Sequence, residues 1–164
     1  MFYYHYASPL GTAELRSDGE VLTGLDFTKT HKSDGMKNCP PVIARTVEWL
    51  DIYFSGREPG FTPELGLSGT PFSVTVWRIL QRIPYGRVTT YKAVAGEAAA
   101  ILGVPRMSPQ AAGGAVGRNP VALIIPCHRV IGSDGSLTGY ASGVWRKAYL
   151  LGLERADPYR PFTL

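Results

Sequence analysis

The chain is poor in cysteine, histidine and late acidic residues, and each shortage excludes something. Two cysteines in 164 residues cannot build a disulfide framework. The first residues, Met1–Tyr6, show no basic segment followed by an apolar one, so reduced thiols in the cytosol or nucleus are expected. A Cys39–Cys127 bridge is the one pairing available and is not expected. Three histidines scattered among those cysteines make no zinc spacing, so neither a metal nor another cofactor is expected. The apolar runs are far too short to span a bilayer, and no membrane partner is expected. The chain has no internal repeat or low-complexity tract.

The scarcity of acids is local. From Pro71 onward only Glu97, Asp134, Glu154 and Asp157 face eleven Lys and Arg, a net +7. Through Thr70 nine acids face six basic residues, a net −3, and the two sum to the +4 of the whole. A basic half joined to an acidic one points the basic half toward a polyanion. A chain of this length folds as one domain or two small lobes.

The first lobe is expected over 1–69, an α/β lobe with a structural role. Turn residues at Ser8–Gly11 and Ser17–Glu20 separate strand-like runs between Phe2 and Phe27, an antiparallel meander. The polar stretch Thr28–Pro41, with Lys29, Lys32, Asp34, Gly35 and Lys37, reads as a loop. Pro41 opens a helix whose apolar residues Ile43, Val47, Leu50 and Phe54 recur at helical spacing, with Gly56 at its end. Arg57–Gly69, with its prolines and glycines, reads as the link to the second lobe, expected over 70–164.

There Thr70 and Pro71 start a helix with Phe72, Val76, Ile79, Leu80 and Ile83 on one face. Thr89 or Thr90 caps a second helix through Tyr91, Val94, Ala95 and Ala98. Ser108 and Pro109 start a third, Gln110–Val116, built almost wholly of Ala and Gly. Two adjacent glycines cost about 1 kcal/mol each relative to alanine, and a helix without bulky side chains can approach another backbone closely. That suits tight helix packing; in a lobe of +7 it suits a nucleic-acid groove better. Val121–Ile125 reads as a buried strand delivering Cys127, Thr138–Gly143 as a small, flexible pocket loop, and Ser142 or Gly143 as the start of a last helix running to Glu154. The fold class is α+β: a small antiparallel-sheet lobe followed by a winged-helix-like, helix-turn-helix lobe.

The chemistry converges on Ile124-Ile125-Pro126-Cys127-His128-Arg129-Val130-Ile131. Two potential cations beside a thiol favour the nucleophilic thiolate, and burying them requires partners. Neighbours on a strand point to opposite faces, so Cys127 and His128 pair only if the chain kinks after Pro126 or a water bridges them. His128 needs an orienting acid. Glu154 is the best candidate, because its helix must pack back onto the strand carrying Cys127.

Pro126-Cys127-His128-Arg129-Val130 resembles the active-site signature of the O6-alkylguanine-DNA alkyltransferases, the methylated-DNA–protein-cysteine methyltransferases. The resemblance continues through Ile83-Pro84-Tyr85-Gly86, Tyr91, Gly113-Gly114-Ala115, Arg118-Asn119-Pro120, Gly139-Tyr140 and Leu150-Leu151…Glu154. The first lobe matches more loosely, through Ser8–Gly11 and Tyr53–Gly56. The resemblance implies direct, irreversible transfer of an alkyl group from O6-alkylguanine, and from O4-alkylthymine, to Cys127, once per molecule. It implies a flipped base, a proton relay through His128 and Glu154 with Asn119 as brace, and Arg129 in a structural ion pair. Tyr91 would donate to the leaving guanine, and Val130, Tyr140, Ala141 and Ser142 would contact it. Gln110, Ala111, Gly113, Gly114 and Arg118 would meet double-stranded DNA in the minor groove, where little sequence can be read. The protein would act as a monomer, in the bacterial cytoplasm at the nucleoid or in a nucleus. One position departs from the pattern: family members usually carry arginine where this chain has Gln110. Ser142, where many relatives have glycine, bears on tolerance of large O6 groups. Two other functions compete: a non-catalytic lesion binder, which would need no reactive cysteine, and a winged-helix transcriptional regulator, which leaves Cys127, His128 and Glu154 unexplained together.

Overall fold

Two short turns set up the first part of the molecule. Leu10 N–H donates to Ser8 Oγ (3.1 Å), and Glu20 and Val21 N–H donate to Asp18 Oδ1 (2.9 and 3.0 Å), the side-chain-to-backbone bonds that favour such residues in turns. In a computed structural model describing residues 1–29, 35–137 and 139–164, these turns join β1 (Phe2–Ser8), β2 (Gly11–Ser17) and β3 (Leu22–Thr28) in an antiparallel sheet of order β1-β2-β3. His31, Lys32 and Asp34 of the expected loop, and Thr138 of the expected pocket loop, lie outside the described residues.

The chain divides into two compact units, Met1–Leu67 with Pro120–Ala122, and Ser68–Asn119 with Leu123–Leu164. In the first, Ala13 and Leu15 of β2 and Leu22 and Leu25 of β3 are buried, as are Ile43, Leu50 and Tyr53 of α1 (Pro41–Phe54). Pro41 occupies the first turn of α1, and Gly56, just past its end, has φ 83°, a left-handed position that glycine adopts at no steric cost. The opposite side of the sheet carries a charge ladder: Arg16 bonds Glu14 (3.0 Å) and Asp26 (2.9 Å), and His5 lies 3.0 Å from Glu14. The irregular stretch after α1 is less free than a linker. Leu65 bridges Leu22 in parallel, and Leu22 N–H donates to Glu64 O at 2.8 Å.

The second unit contains α2 (Pro71–Leu80), α3 (Tyr91–Leu102), α4 (Pro109–Gly117) and α5 (Val144–Leu153), with a short parallel pair, β4 (Thr89–Thr90) and β5 (Val130–Ile131). Thr70, Thr90 and Ser108 each cap a helix by accepting from the N–H three residues on, which satisfies an otherwise orphaned donor. The Ala/Gly helix packs on one face and is open on the other. On one face Ala112, Ala115 and Val116 are buried, and Trp77 Nε1–H donates to Ala115 O at 2.9 Å. On the other, Gln110, Ala111, Gly114 and Arg118 are exposed.

The strand expected over Val121–Ile125 does not form. All five residues are buried, but Val121 makes an isolated bridge to Leu25, Ala122–Ile124 form a turn, and Leu123 has φ 69°. An apolar run this short reports burial and leaves the backbone undetermined. A left-handed leucine costs about 1–2 kcal/mol, and its complete burial offsets that with about 1.5–3 kcal/mol of apolar transfer. The turn matters because it sets the direction from which the chain enters Pro126. Among the described residues no helix is long and apolar enough to cross a membrane.

Candidate active site

Pro126 is where the backbone is redirected. Its φ of −81° and ψ of 65° are those of an inverse γ-turn, closed by Cys127 N–H donating to Ile125 O at 2.8 Å. Cys127–Arg129 then form one 3₁₀ turn before β5. The expected strand geometry at Cys127 is therefore replaced by a kink after Pro126. Asn119 secures the entry: its Nδ2 donates to Ile125 O at 2.7 Å, and its side chain hydrogen-bonds the Cys127 thiol.

The turn delivers the imidazole of His128 and the guanidinium of Arg129 into the interior, and Glu154 receives both. His128 Nε2 lies 2.5 Å from Glu154 Oε2, and Arg129 donates from Nε to Oε1 (2.8 Å) and from a terminal nitrogen to Oε2 (3.2 Å). His128 is fully buried and Glu154 nearly so. The Ile83–Gly86 turn closes the cluster. Ile83 O accepts from Arg129 at 2.8 Å, Gly86 N–H donates to Glu154 Oε1 at 3.0 Å, and the Tyr85 ring centroid lies 5.7 Å from the Arg129 guanidinium carbon. Gly86 has φ 76°, and a Cβ there would come within 3.1 Å of the Glu154 carbonyl, so both conformation and space call for glycine.

These contacts decide the protonation states. Burial works against the Glu154 carboxylate, but His128 and Arg129 outweigh it and hold the group far below the usual carboxylate range. An ionised carboxylate only accepts, so His128 Nε2 carries the proton and Nδ1 holds the lone pair. Burial, with the charges of Arg129 and Lys147, keeps the His128 imidazole below its ordinary pKa although Glu154 pulls the other way. The tautomer of His128 is thus fixed, with Nε2–H facing Glu154.

His128 and Arg129 both turn to Glu154, as the expected relay and ion pair require, and neither faces the thiol as a free cation. Cys127 is 8% exposed, and burial raises its pKa, against the lowering effects of the Asn119 hydrogen bond, the Lys147 charge and nearby backbone N–H groups. Arg129 is committed to Glu154, and His128 is hydrogen-bonded to the same carboxylate. The cation acting on the thiol is Lys147, which sequence reasoning missed. A signal for it existed: Lys147 precedes Leu150, Leu151 and Glu154 by three, four and seven residues, which puts it on the buried stripe of α5.

Of the remaining expected residues, Tyr91 and Tyr140 are close enough to Cys127 for its charge to raise the pKa of each, burial being the larger cause in both. Val130 is buried in β5, paired with Thr89 of β4. Ser142 O accepts from Arg146 at 2.6 Å, and Ala141 is exposed. A pocket of about 330 Å³ is lined by Tyr91, Pro109, Gln110, Gly113 and Gly139. Tyr91 O–H reaches Gly139 O at 3.5 Å, and a Cβ on Gly113 would meet the Tyr91 ring at 3.7 Å. The structure thus gathers buried Cys127, His128 and Glu154 with half-buried Asn119 in one cluster, with Tyr91 and Tyr140 beside the thiol. Gln110 and Gly113 share the pocket with Tyr91. Ala111, Gly114 and Arg118 stay on the outer side of α4. Both cysteines are free thiols, and among the described residues no cluster of ligands could hold a metal.

Comparison with known proteins adds sequence and structural relatives. Residues 71–156 match the family model described as 6-O-methylguanine DNA methyltransferase, DNA binding domain, and residues 1–67 match 6-O-methylguanine DNA methyltransferase, ribonuclease-like domain. The chain is 44% identical over 159 residues to a methylated-DNA–protein-cysteine methyltransferase of Methanosarcina barkeri, covering 94% of this chain and 97% of that one. A namesake from Haemophilus influenzae is 38% identical over 168 residues, with 97% and 88% covered. The crystal structure of Mycobacterium tuberculosis OGT in complex with DNA superposes with a TM-score of 0.80 at 38% identity, over 94% of this chain and 93% of that one.

Proposed function

From the premise that this chain belongs to the 6-O-methylguanine DNA methyltransferase family, and so repairs alkylated DNA by direct reversal as a cysteine methyltransferase, we propose how its own residues carry the reaction. Cys127 is the acceptor. O6-alkylguanine, and O4-alkylthymine by the same chemistry, turns out of the duplex into the pocket beside Tyr91. Neutral His128 Nδ1 takes the thiol proton, directly or through a water, while Glu154 holds Nε2–H and stabilises the imidazolium. Sulfur attacks the alkyl carbon, the C–O6 bond breaks, and the electron pair stays on the base. Tyr91 donates a hydrogen bond to that base as it leaves; Val130, Tyr140, Ala141 and Ser142 line it. A thioether has no easy route back, so each molecule acts once.

The observation that carries this reading is the 2.5 Å His128–Glu154 contact, made from the same turn that holds Cys127. A non-catalytic lesion binder would have no use for a neutral, oriented base beside a thiol. Duplex DNA containing radiolabelled O6-methylguanine is expected to transfer one label per chain, recovered on the Cys127 peptide. Multiple turnovers, or label on Cys39, would refute the mechanism.

The outer face of α4 enters the minor groove, with Gln110 as the residue that fills the space of the flipped base and Ala111, Gly113, Gly114 and Arg118 following the backbone. The small exposed residues of α4 and the net +7 of this half support that docking. The first unit, at −3, has a structural role away from the DNA. The protein works as a monomer, in the cytoplasm at the nucleoid or in a nucleus.

Gln110 lacks charge and has less stacking area than arginine. Gln110→Arg is expected to tighten duplex binding several-fold, to steepen the slope of log Kd against log salt by about one phosphate contact, and to speed repair in duplex DNA. The rate with free O6-alkylguanine base should stay within about twofold, because the chemistry at Cys127 is untouched. Filter binding across a salt series and single-turnover rates on duplex and free base check this.

A further inference from the structure

Two residues at the start of α5 have no part in the scheme above, yet they fasten the pocket loop. Between Gly139 (φ 80°) and Gly143 (φ 107°) the chain runs through Tyr140, Ala141 and Ser142, the segment proposed to line the base, and Gly139 lines the pocket itself. Left-handed glycines at both ends give such a segment its hinges. At the first end the hold is weak: Tyr91 O–H reaches Gly139 O at 3.5 Å, long for a hydroxyl donor. At the second end it is strong. Gly143 turns the chain into α5 so that Arg146 N–H donates to Gly143 O at 3.1 Å, not to the Ser142 carbonyl four residues back that a regular helix would use. The Arg146 side chain takes that carbonyl instead, at 2.6 Å. A bond from a guanidinium is shorter and roughly twice as strong as one between neutral groups.

Arg146 is held in turn. Its guanidinium carbon lies 4.5 Å from the centroid of the Trp145 ring, and a Cβ on Gly143 would come within 3.2 Å of the edge of the same indole. Trp145 is 58% exposed, so burial does not account for its place. It covers Gly143 and presents a ring face to the cation. The far end of the same ten-residue helix leads into Glu154, about 15 Å away. One rigid element thus holds both the pocket loop and the carboxylate that orients His128.

Resting on the reading of residues 140–142 as the wall against the base, we propose that Arg146, oriented by Trp145, is a specificity-determining positioning residue: it fixes the Ser142 carbonyl and so holds the pocket loop at one distance from Cys127, a distance that accepts a small group on O6 and resists a bulky one.

The selectivity follows from what each substrate needs. For sulfur to attack, the alkyl carbon must sit about 3–3.5 Å away and in line. A methyl group requires no room beyond that, and a loop held in one place supplies the alignment. A benzyl group requires added room, which a loop swinging on its two glycines would give. The same swing costs the methyl substrate its alignment. Cutting the fastening therefore acts unequally on the two substrates. Arg146 moves no proton and forms no bond to substrate; the thiol proton still goes to His128 and the alkyl group to Cys127.

The test measures single-turnover transfer to the full chain from one duplex carrying either O6-methylguanine or O6-benzylguanine. Arg146→Met keeps an unbranched stem and removes the donors. It is expected to raise the benzyl-to-methyl rate ratio at least about tenfold. Trp145→Ala should move the ratio the same way by about threefold or more, and adding it to Arg146→Met should change little further, since the two act as a unit. A merely structural role would slow both lesions alike. A phosphate contact would weaken binding of undamaged duplex and lower its salt slope by about one. An unmoved ratio, or either of those patterns in its place, overturns the inference. If Arg146→Met does not fold, Trp145→Ala at its exposed site decides on the same ratio. Label transfer by the wild-type chain tests the Cys127 reading separately. Should that fail, amide exchange still decides the fastening: Gly143 N–H, which donates to Tyr140 O at 3.0 Å, should exchange about tenfold faster in Arg146→Met, and an unmoved rate overturns it.

Discussion

Cys127→Ala is expected to abolish alkyl transfer while leaving a folded protein that still binds duplex DNA. The loss is total because the transferred group ends on sulfur. No other atom of the cluster can take its place: His128 is held by Glu154, and the Tyr91 hydroxyl is far less nucleophilic than a thiol at neutral pH. The structural cost is small. Removing one buried sulfur leaves a void of less than a methylene pair and costs about 1 kcal/mol, and it also removes a polar atom whose ionised form burial disfavours. The hydrogen bond from Asn119 to Ile125 O does not involve the sulfur, so the turn keeps its brace. Loss of transfer with urea unfolding within about 1.5 kcal/mol of wild type, and duplex affinity within about threefold, is the expected combination. Residual single-turnover transfer in this variant would require a different acceptor.

Glu154→Gln is expected to damage both stability and rate. The carboxylate accepts from four groups, His128 Nε2, two Arg129 nitrogens and Gly86 N–H. A glutamine offers one oxygen and an NH₂. Wherever the NH₂ goes, it meets donors, and the nearly buried Arg129 is left without a counter-charge. Breaking a buried ion pair from one side costs about 3–5 kcal/mol. That cost is expected in urea unfolding, against the roughly 1 kcal/mol of a lost neutral hydrogen bond. The transfer rate should fall by about 10²–10⁴, because His128 loses the acceptor that fixes its tautomer. Unfolding and transfer both at wild-type levels would refute this account of the cluster.

The same cluster sets the acid limit of stability. Folding lowers the pKa of Glu154, so its contribution is present above the ordinary carboxylate range near 4.5 and is lost as pH falls below that. His128 is also lowered, so its contribution is present above about 6.5 and is lost as pH falls through and below that value. Stability should therefore decline below pH 6.5 and more steeply below 4.5. The second decline should largely vanish in Glu154→Gln, which has no carboxylate to protonate.

Local signals were legible wherever backbone and side chain act within a few residues. The caps Thr70, Thr90 and Ser108, the prolines that follow two of them, and the alternating burial of β2 depend on neighbours in sequence. The pairing of His128 with Glu154 was legible too, because the basic half contains only four acids and one of them ends the helix that must return to the site. The Val121–Ile125 strand was misread because five buried apolar residues are compatible with strand or turn, and Leu123 takes a left-handed backbone that its residue type disfavours.

By itself, the sequence determined the α+β class, the helices with their caps, the cysteine at the centre and the family. These follow from short-range chemistry and from a signature whose residues are mostly contiguous. Only the tertiary structure decided which cation serves the thiol. Chain order puts His128 and Arg129 beside Cys127, yet the 3₁₀ turn sends both to Glu154, and α5 brings in Lys147 from twenty residues away. Adjacency in sequence does not set electrostatic coupling. Burial, direction and the partners that already hold each charge do.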